Sequence, residues 1–202
     1  MLAPELSGRI LDVGCGTKPY QNLFRVEEYL GLDLDSPISR KLNIADAYYD
    51  GNFFPFDDNE FDGLICNQVL EHVFNPEMFL AEISRVLKPD GKLLLTIPFV
   101  WDEHEQPFDY ARYSTFGLKH LLEKKSFEVI NQVKINPNIA TIFQLLNAYF
   151  FKISHHWPRL LRVLFTISVM ALTNIMGLLG KLVLPNNADL YLDQIVLAKN
   201  NG

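Results

Sequence analysis

Short apolar runs alternate with polar or helix-patterned stretches through the first half of the chain. The runs have the length of buried strands and cover residues 10–13, 29–32, 42–46, 61–66 and 93–98. Asn75, Pro76 and Glu77 form a helix start, and apolar residues follow at helical spacing until Leu87. Only eight residues, 34–41, are available for the second crossover, so we expect that helix to be short or irregular. This alternation predicts an α/β domain with a mostly parallel sheet.

The second half follows a different pattern. Residues 115–125 have helical spacing, while 127–134 and 189–199 have the composition of strands. Between those strands, residues 138–184 are strongly apolar and are predicted to form a helical insertion before the last strand. We therefore expect a single domain over residues 1–202.

A glycine turn joins the first two strands and suggests a ligand site. Residues 14–16 read Gly-Cys-Gly after the first strand, and Asp33 ends the second. Glycine tolerates positive φ and lets a ligand approach the backbone closely. An acid at the end of the neighbouring strand can hold ribose hydroxyls. The pattern predicts a nucleoside site.

Two residues near the turn decide between nucleoside cofactors. Pro19 stands where a dinucleotide fingerprint has its third glycine, and Asp12 precedes the turn in the strand. A carboxylate in the turn would repel a pyrophosphate, whereas it suits a ligand that carries an ammonium group. This favours S-adenosylmethionine over NAD, and a nucleotide-dependent oxidoreductase is the remote alternative.

The turn and a second stretch resemble one known family. The sequences LDVGCG (11–16) and GLD (31–33), together with 55–98, are similar to class I S-adenosylmethionine-dependent methyltransferases of the methyltransferase type 11-like family. Lys18-Pro19 departs from that pattern where a glycine is commoner. The resemblance implies a Rossmann-like three-layer sandwich around a mostly parallel seven-stranded sheet, with the last strand antiparallel at its edge.

The resemblance also implies the roles of the cofactor-binding residues. Asp33, with Leu34 beside it, would bind the ribose, and Asp46 with Ala47 would lie near the adenine, although Asp35 and Asp50 are close competitors. The methionine end would be framed by Asp12, Gly14, Cys15 and Gly16, with Asn67 and Gln68 closing over it.

The segment after the fifth strand is the candidate acceptor site. Ligands in open α/β sheets bind outside the carboxyl ends of the strands, where this segment begins. His104 is the candidate base because imidazole titrates near neutrality, and Arg112 could hold a phosphate or carboxylate of the acceptor. The candidate substrate-binding residues are Trp101, Asp109, Tyr110, Arg112 and Tyr113. The alternative is a hydrogen-bonded lid without a base; for His72 a structural hydrogen bond is favoured.

Composition limits the other function classes. The chain has two cysteines, a net charge of −6 and no N-terminal pattern of a secretory signal. These features argue against a disulfide framework, general nucleic-acid binding and secretion, and favour the cytoplasm. His and Cys lack the short spacings of zinc sites, so no metal is expected.

The apolar insertion has its own charge pattern. Residues 129–188 contain no acid but five bases, and residues 163–180 are uncharged. Polar residues dilute the uncharged run, which disfavours a single membrane span. Bases mixed with aromatics upstream fit peripheral membrane docking through 150–184. A helical cap over the sheet or a homodimer contact remains an equal alternative.

These observations lead to one functional hypothesis and one rival. The hypothesis is methyl transfer from S-adenosylmethionine to a small-molecule or lipid-linked acceptor. The similarity of residues 104–114 to methyltransferases associated with cell-surface glycans points to a glycan or polysaccharide precursor. The rival is a non-catalytic methyltransferase-like protein that uses its apolar insertion as a binding or scaffold surface.

Overall fold

The computed structural model describes residues 3–202, which form seven strands and six α-helices. The strands are β1 (Arg9–Val13), β2 (Glu28–Leu34), β3 (Ala47–Tyr49), β4 (Phe61–Asn67), β5 (Leu87–Pro98), β6 (Phe127–Ile135) and β7 (Asp193–Asn200). The helices are α1 (Pro37–Leu42), α2 (Pro76–Val86), α3 (Thr115–Glu123), α4 (Ala140–Ser154), α5 (Arg159–Phe165) and α6 (Ala171–Val183). A π-helical stretch, Thr166–Met170, connects α5 to α6.

The strands form one sheet in the order β3-β2-β1-β4-β5-β7-β6. The pairs β1–β2, β1–β4, β2–β3 and β4–β5 are parallel, and the sheet is completed by one antiparallel hairpin. This confirms the predicted fold: a Rossmann-like, mostly parallel seven-stranded sheet with helices and a helical insertion before the last strand. The last strand was predicted at the edge, which is wrong, because β7 lies between β5 and β6.

The third strand begins later than the sequence pattern predicts. Residues 42–46 were expected to form it, but Asn43, in the left-handed conformation, caps the end of α1. Pairing with β2 starts at Ala47, opposite Leu32. Tyr49 supplies the buried side chain of β3 and meets the edge of the Phe54 ring at 5.0 Å between centroids. The expectation that the second crossover helix is short is confirmed by the six residues of α1.

Alternating side chains of the central strands build two cores. Leu11, Leu64 and Leu95 belong to the larger core, where they pack with apolar residues of α2 and α3. Ile10, Ile65 and Leu94 belong to a smaller core on the opposite face. This alternation follows from the two-residue period of a strand. Both faces of the central strands are buried, as is typical of parallel sheets.

The chain divides into two compact units. The first, here called the sheet unit, contains the chain up to Pro98, Glu105–Val133 and Gln194–Gly202. The second, here called the helical unit, contains Phe99–His104 and Lys134–Asp193. Inside the helical unit, α4 packs against α6, and the amide of Asn147 donates a 2.7 Å hydrogen bond to the side-chain oxygen of Asn174.

Candidate functional site

The turn after β1 has the geometry of a close-approach site. Gly14 and Gly16 have φ values of +70° and +48°. The Gly14 amide donates a 2.8 Å hydrogen bond to the Leu32 carbonyl, which fixes the turn against β2. A Cβ at Gly14 would lie 2.3 Å from Val69 Cγ2, whereas a Cβ at Gly16 would meet no heavy atom within 4 Å. Gly14 therefore packs against protein, and Gly16 faces open space.

Asp33 lies near the carboxyl end of β2, beside this open space. Its Oδ1 accepts a 2.8 Å hydrogen bond from the Leu34 amide. Burial raises the pKa of its carboxyl, and the amides of Leu34 and Gly16 oppose that rise. The side chain of Asp33 is thus held by backbone donors at the edge of the turn, within reach of a ligand that occupies the space at Gly16.

Asp12 is the second acid of the turn, and it is almost fully buried. The Tyr29 hydroxyl donates a 2.5 Å hydrogen bond to its Oδ2. Gly31 lies opposite Asp12 in the β1–β2 register, and Tyr29, two residues earlier on the same face of β2, reaches Asp12 diagonally. Burial raises the pKa of Asp12 to about 6, although the Tyr29 bond and the charge of Lys18 lower it. Sequence analysis missed Tyr29, because only the strand register brings it to Asp12.

The predicted adenine acid, Asp46, lies before β3 and not at its carboxyl end. The Gly31 amide donates a 2.7 Å hydrogen bond to Asp46 Oδ2, and Lys18 forms an ion pair with the same oxygen. Asp50 directly follows β3, and its Oδ1 accepts bonds from the amides of Asn52 and Phe53. In parallel sheets ligands bind at the carboxyl ends of strands. Asp50 is therefore better placed than Asp46 and its neighbour Ala47.

Asn67 and Gln68 end β4 and are tied to the neighbouring strand. Thr96 Oγ1 donates a 2.5 Å bond to Asn67 Oδ1, and the Gln68 amide donates a 3.0 Å bond to the Thr96 carbonyl. Gln68 has φ +55°, which turns the chain sharply after the strand. Thr96, which the sequence analysis did not single out, thus positions both predicted residues.

The loop after residue 105 is attached to the segment that follows β4. The amides of Tyr110 and Ala111 donate to the Glu71 carbonyl at 2.8 and 3.2 Å, and His72 Nδ1 lies 2.8 Å from the Phe108 carbonyl oxygen. His72 therefore makes the structural hydrogen bond that the sequence favoured. Tyr110 is exposed, whereas Tyr113 packs against the larger core.

Arg112 and Asp109 pair with each other. Two guanidinium nitrogens of Arg112 contact the two carboxylate oxygens of Asp109 at 2.5 and 2.7 Å. This bidentate pair fixes the orientation of both side chains. Arg112 is therefore already engaged in the structure, and its predicted role in holding an acceptor anion would require exchange of this partner.

Trp101 and His104 belong to the helical unit. Trp101 is partly exposed, and His104 Nδ1 lies 3.2 Å from the Asp102 carbonyl oxygen. The Asp102 carboxylate forms a 2.6 Å ion pair with Lys152 of α4. These contacts connect the segment 99–104 to α4 within that unit.

The turn in the sheet unit suits a cationic nucleoside. Asp33 lies beside the open space at Gly16, Asp12 precedes the turn in β1, and Asp50 follows the adjacent strand. Carboxylates can hold ribose hydroxyls and an ammonium group, but they repel a pyrophosphate. Cys15 is buried, and burial raises the pKa of its thiol to about 12, so it packs as a neutral side chain. The residues present therefore fit S-adenosylmethionine.

Comparison with known proteins points to the same class. The profile of a family described as "Methyltransferase domain" matches residues 11–95, from the middle of β1 to near the end of β5. Over residues 11–95 the chain is similar to the methyltransferase domain of class I S-adenosylmethionine-dependent enzymes, and this match supports S-adenosylmethionine as the cofactor.

Curated relatives and solved structures extend the comparison. An uncharacterised protein of Methanocaldococcus jannaschii is 36% identical over 93 residues, covering 45% of this chain and 44% of the relative. A fatty-acid O-methyltransferase of Mycolicibacterium smegmatis is 36% identical over 100 residues, covering 44% and 36%. The chain thus spans less than half the length of these relatives. A Haemonchus contortus phosphoethanolamine N-methyltransferase 2 in complex with S-adenosyl-L-methionine shares the fold, with TM-score 0.58, 17% identity and coverage of 97% and 49%.

Proposed function

We propose that this protein is a methyltransferase that uses S-adenosylmethionine to methylate a small-molecule or lipid-linked acceptor. The observation that carries the proposal is the acid-flanked glycine turn, which packs tightly at Gly14 and opens at Gly16. The narrower form of the hypothesis is a glycan or polysaccharide precursor as acceptor. The similarity to a fatty-acid O-methyltransferase supports an acceptor with a lipid part.

Residues of the sheet unit would hold the cofactor. Asp33 would accept hydrogen bonds from the ribose hydroxyls, and Asp50 would lie near the adenine. Asp12 would face the ammonium group, with Asn67 and Gln68 closing the methionine end. When bound, S-adenosylmethionine supplies a methyl group already activated by its sulfonium, so the protein mainly orients the acceptor and excludes water.

The acceptor would be oriented by the segment that follows β5. Tyr110 and Trp101 offer exposed aromatic surfaces, Tyr113 is half-buried beside the core, and the Arg112–Asp109 pair stiffens the loop. His104 is the proposed base for acceptors that carry a proton. We place the domain in the cytoplasm, with peripheral membrane contact through 150–184 that would bring it to a lipid-linked acceptor.

The first test is calorimetric binding of S-adenosylmethionine and S-adenosylhomocysteine, with NAD as the control. We expect binding of the first two compounds and none of NAD. Asp33→Ala should weaken binding at least about tenfold, which corresponds to about 1.4 kcal/mol. The matched pair Asp50→Ala and Asp46→Ala assigns the adenine acid: we expect only the first to weaken binding severalfold.

Failure of the cofactor to bind would contradict this proposal. If neither methionine-derived compound binds, the rival function applies, namely a non-catalytic methyltransferase-like protein that uses its apolar insertion as a scaffold surface. If the cofactor binds, methyl transfer is tested by following S-adenosylhomocysteine release with fatty acids and lipid-linked sugars. His104→Ala should then slow turnover without changing cofactor affinity; unchanged turnover would exclude His104 as the base.

A further inference from the structure

The helical unit contains a long two-helix hairpin. Its first arm is α4, and its second arm is one continuous helix, Arg159–Val183, formed by α5, the π-helical stretch and α6. Residues 155–158, here called the hairpin tip, connect the arms. Among the described residues, Arg159–Val183 is the one helix that is long and apolar enough to cross a membrane by length and composition.

Small and polar residues hold the two arms together. Thr173 donates a short hydrogen bond to Asn147, whose amide also bonds to Asn174. Gly177 lies against Phe143, where an added Cβ would come within 3.1 Å of the Phe143 Cβ. Polar and small groups are thus placed in the interior of the hairpin. This arrangement resembles helix packing in lipid, where small residues allow close approach and polar side chains bond across the interface.

The outside of the hairpin is apolar on nearly every side. Only 11% of the most apolar window of Arg159–Val183 is buried. The large exposed apolar residues of this arm are Leu160, Leu161, Val163, Leu164, Ile167, Leu172, Ile175, Met176, Leu178, Leu179, Leu182 and Val183. A helix that is apolar all round requires a surrounding apolar medium. A second copy of the chain would cover one face and leave the others in water.

Charges are confined to the two ends of the hairpin. Lys152, Arg159 and Arg162 lie near the tip, and Lys181 lies near the far end of the second arm. Residues 163–180 carry no charge, and no acid occurs in 129–188. Bases without acids favour a surface of anionic lipids, because the negative surface potential attracts each Lys and Arg near it.

We propose that the hairpin lies within one leaflet of an anionic bilayer, with its apolar sides in the acyl region and its terminal bases among the headgroups. This deepens the peripheral membrane contact proposed above but does not depend on methyl transfer. The 15 residues of α4 span about 22 Å, less than the roughly 30 Å core of a bilayer. A crossing hairpin would also carry the bases near the tip through that core, which is costly for each charge. Both arms therefore stay on the side from which they enter.

Vesicle flotation tests the docking. The intact protein should float with vesicles of phosphatidylcholine and phosphatidylglycerol at low salt, and less with pure phosphatidylcholine or at high salt. The triple variant Ile167→Asn/Leu178→Asn/Leu182→Asn changes residues that are 67%, 64% and 81% exposed. We expect it to lower partitioning at least about tenfold, because each position loses apolar burial.

A matched triple variant controls for the loss of exposed apolar surface. Leu23→Asn/Ile38→Asn/Phe116→Asn changes residues of the sheet unit that are 64%, 75% and 83% exposed, and should float like the wild type. A single cooperative thermal unfolding transition shows that each variant is folded, and calorimetric cofactor binding tests the proposed function separately. If cofactor binding fails while flotation persists, the proposed function fails and the docking stands. Equal flotation of the two triple variants, or none by the wild type, would overturn the docking.

The depth of the hairpin is tested at its tip. Trp101→Phe leaves Trp157 as the only tryptophan, and its emission should be quenched more by lipids brominated near the headgroup than near the chain end. His156→Cys should react with a membrane-impermeant maleimide added outside sealed vesicles, while Cys15 and Cys66 are buried. Protection of that thiol would show a crossing hairpin and overturn the one-leaflet arrangement. The alternative outcome is that the wild type forms a stable dimer and fails to float. If only the hairpin triple variant then dissociated the dimer, the apolar surface would be assigned to a second copy of the chain.

Discussion

Asp12 shows how a single residue changes meaning once its neighbours are known. In the sequence it is an acid one position before the end of a strand, and its charge argues against a pyrophosphate ligand. In the structure it is buried, bonded to Tyr29 and less acidic than usual, with a pKa of about 6. A buried carboxyl of this kind ionises more readily when a cation binds beside it. Since we propose that the ammonium group of the cofactor lies beside Asp12, we expect cofactor binding and ionisation of Asp12 to be coupled.

This coupling predicts a pH dependence of cofactor affinity. Below pH of about 6, affinity should fall by up to about tenfold per pH unit, because binding must first remove the proton from Asp12. Above pH 7 it should reach a plateau. Asp12→Asn can still accept the Tyr29 hydrogen bond. This variant should bind the cofactor more weakly at pH 7.5, and its affinity should not fall below pH 6 as that of the wild type does. Calorimetry between pH 5 and 8 measures both proteins, and parallel profiles would contradict the coupling.

The raised pKa of Asp12 also makes the stability of the cofactor-free protein depend on pH. The pKa of Asp12 in the folded chain, about 6, exceeds the ordinary value of 3.8. Between pH 3.8 and 6 the folded state therefore binds a proton at Asp12 that the unfolded state has lost. The stability that Asp12 contributes is present below pH 3.8 and is lost as the pH rises through 6. Asp12→Asn should therefore gain stability relative to the wild type as the pH rises from 4.5 to 7.5, as denaturant unfolding can measure.

Among the elements, the turn between β1 and β2 depends most on its two glycines, and each glycine is needed for a different reason. Gly14→Ala places a methyl group 2.3 Å from Val69 Cγ2, so we expect it to lower the free energy of unfolding by about 1–3 kcal/mol. Gly16→Ala meets open space, so it should cost less stability and mainly weaken cofactor binding. Thermal unfolding and calorimetry on both variants separate the two effects.

A second substitution isolates the contact at Gly14. Val69→Ala removes the methyl groups that the new Cβ would meet, so the double variant Gly14→Ala/Val69→Ala should be more stable than the sum of the single effects. Additive losses would mean that backbone strain at φ +70°, and not contact with Val69, makes glycine necessary.

The elements also show where sequence reasoning failed and why. Residues 42–46 have the composition of a strand, but local capping by Ser36 and Asn43 ends a short helix there and delays β3 to Ala47. The predicted adenine acid, Asp46, therefore precedes β3, whereas its competitor Asp50 follows it. The last strand has a clear pattern, yet its place between β5 and β6 depends on pairing with distant strands, which no local pattern encodes.

At the scale of the whole molecule, we propose that residues 1–202 unfold as a single domain. Residues 134–193 of the helical unit are connected to β6 and β7, which are adjacent strands of the same sheet. Loss of that sheet would release both ends of the hairpin. We expect a single unfolding transition by calorimetry. Its midpoint temperature should rise when S-adenosylmethionine is present at a saturating concentration. Two transitions, of which only one moves with cofactor, would show two independently stable units.

The sequence by itself determined the α/β fold class, the glycine turn and the apolar insertion, and its resemblance to a known family implied the cofactor. These features depend on residue type and on spacing over a few positions, which periodicity and backbone conformation express directly. Only the tertiary structure decided the partner of Asp12, the acid that follows β3, the pairing of Arg112 with Asp109 and the exposure of the hairpin. Each of these depends on which distant segments meet, and strand register and helix packing set those contacts across many residues of chain.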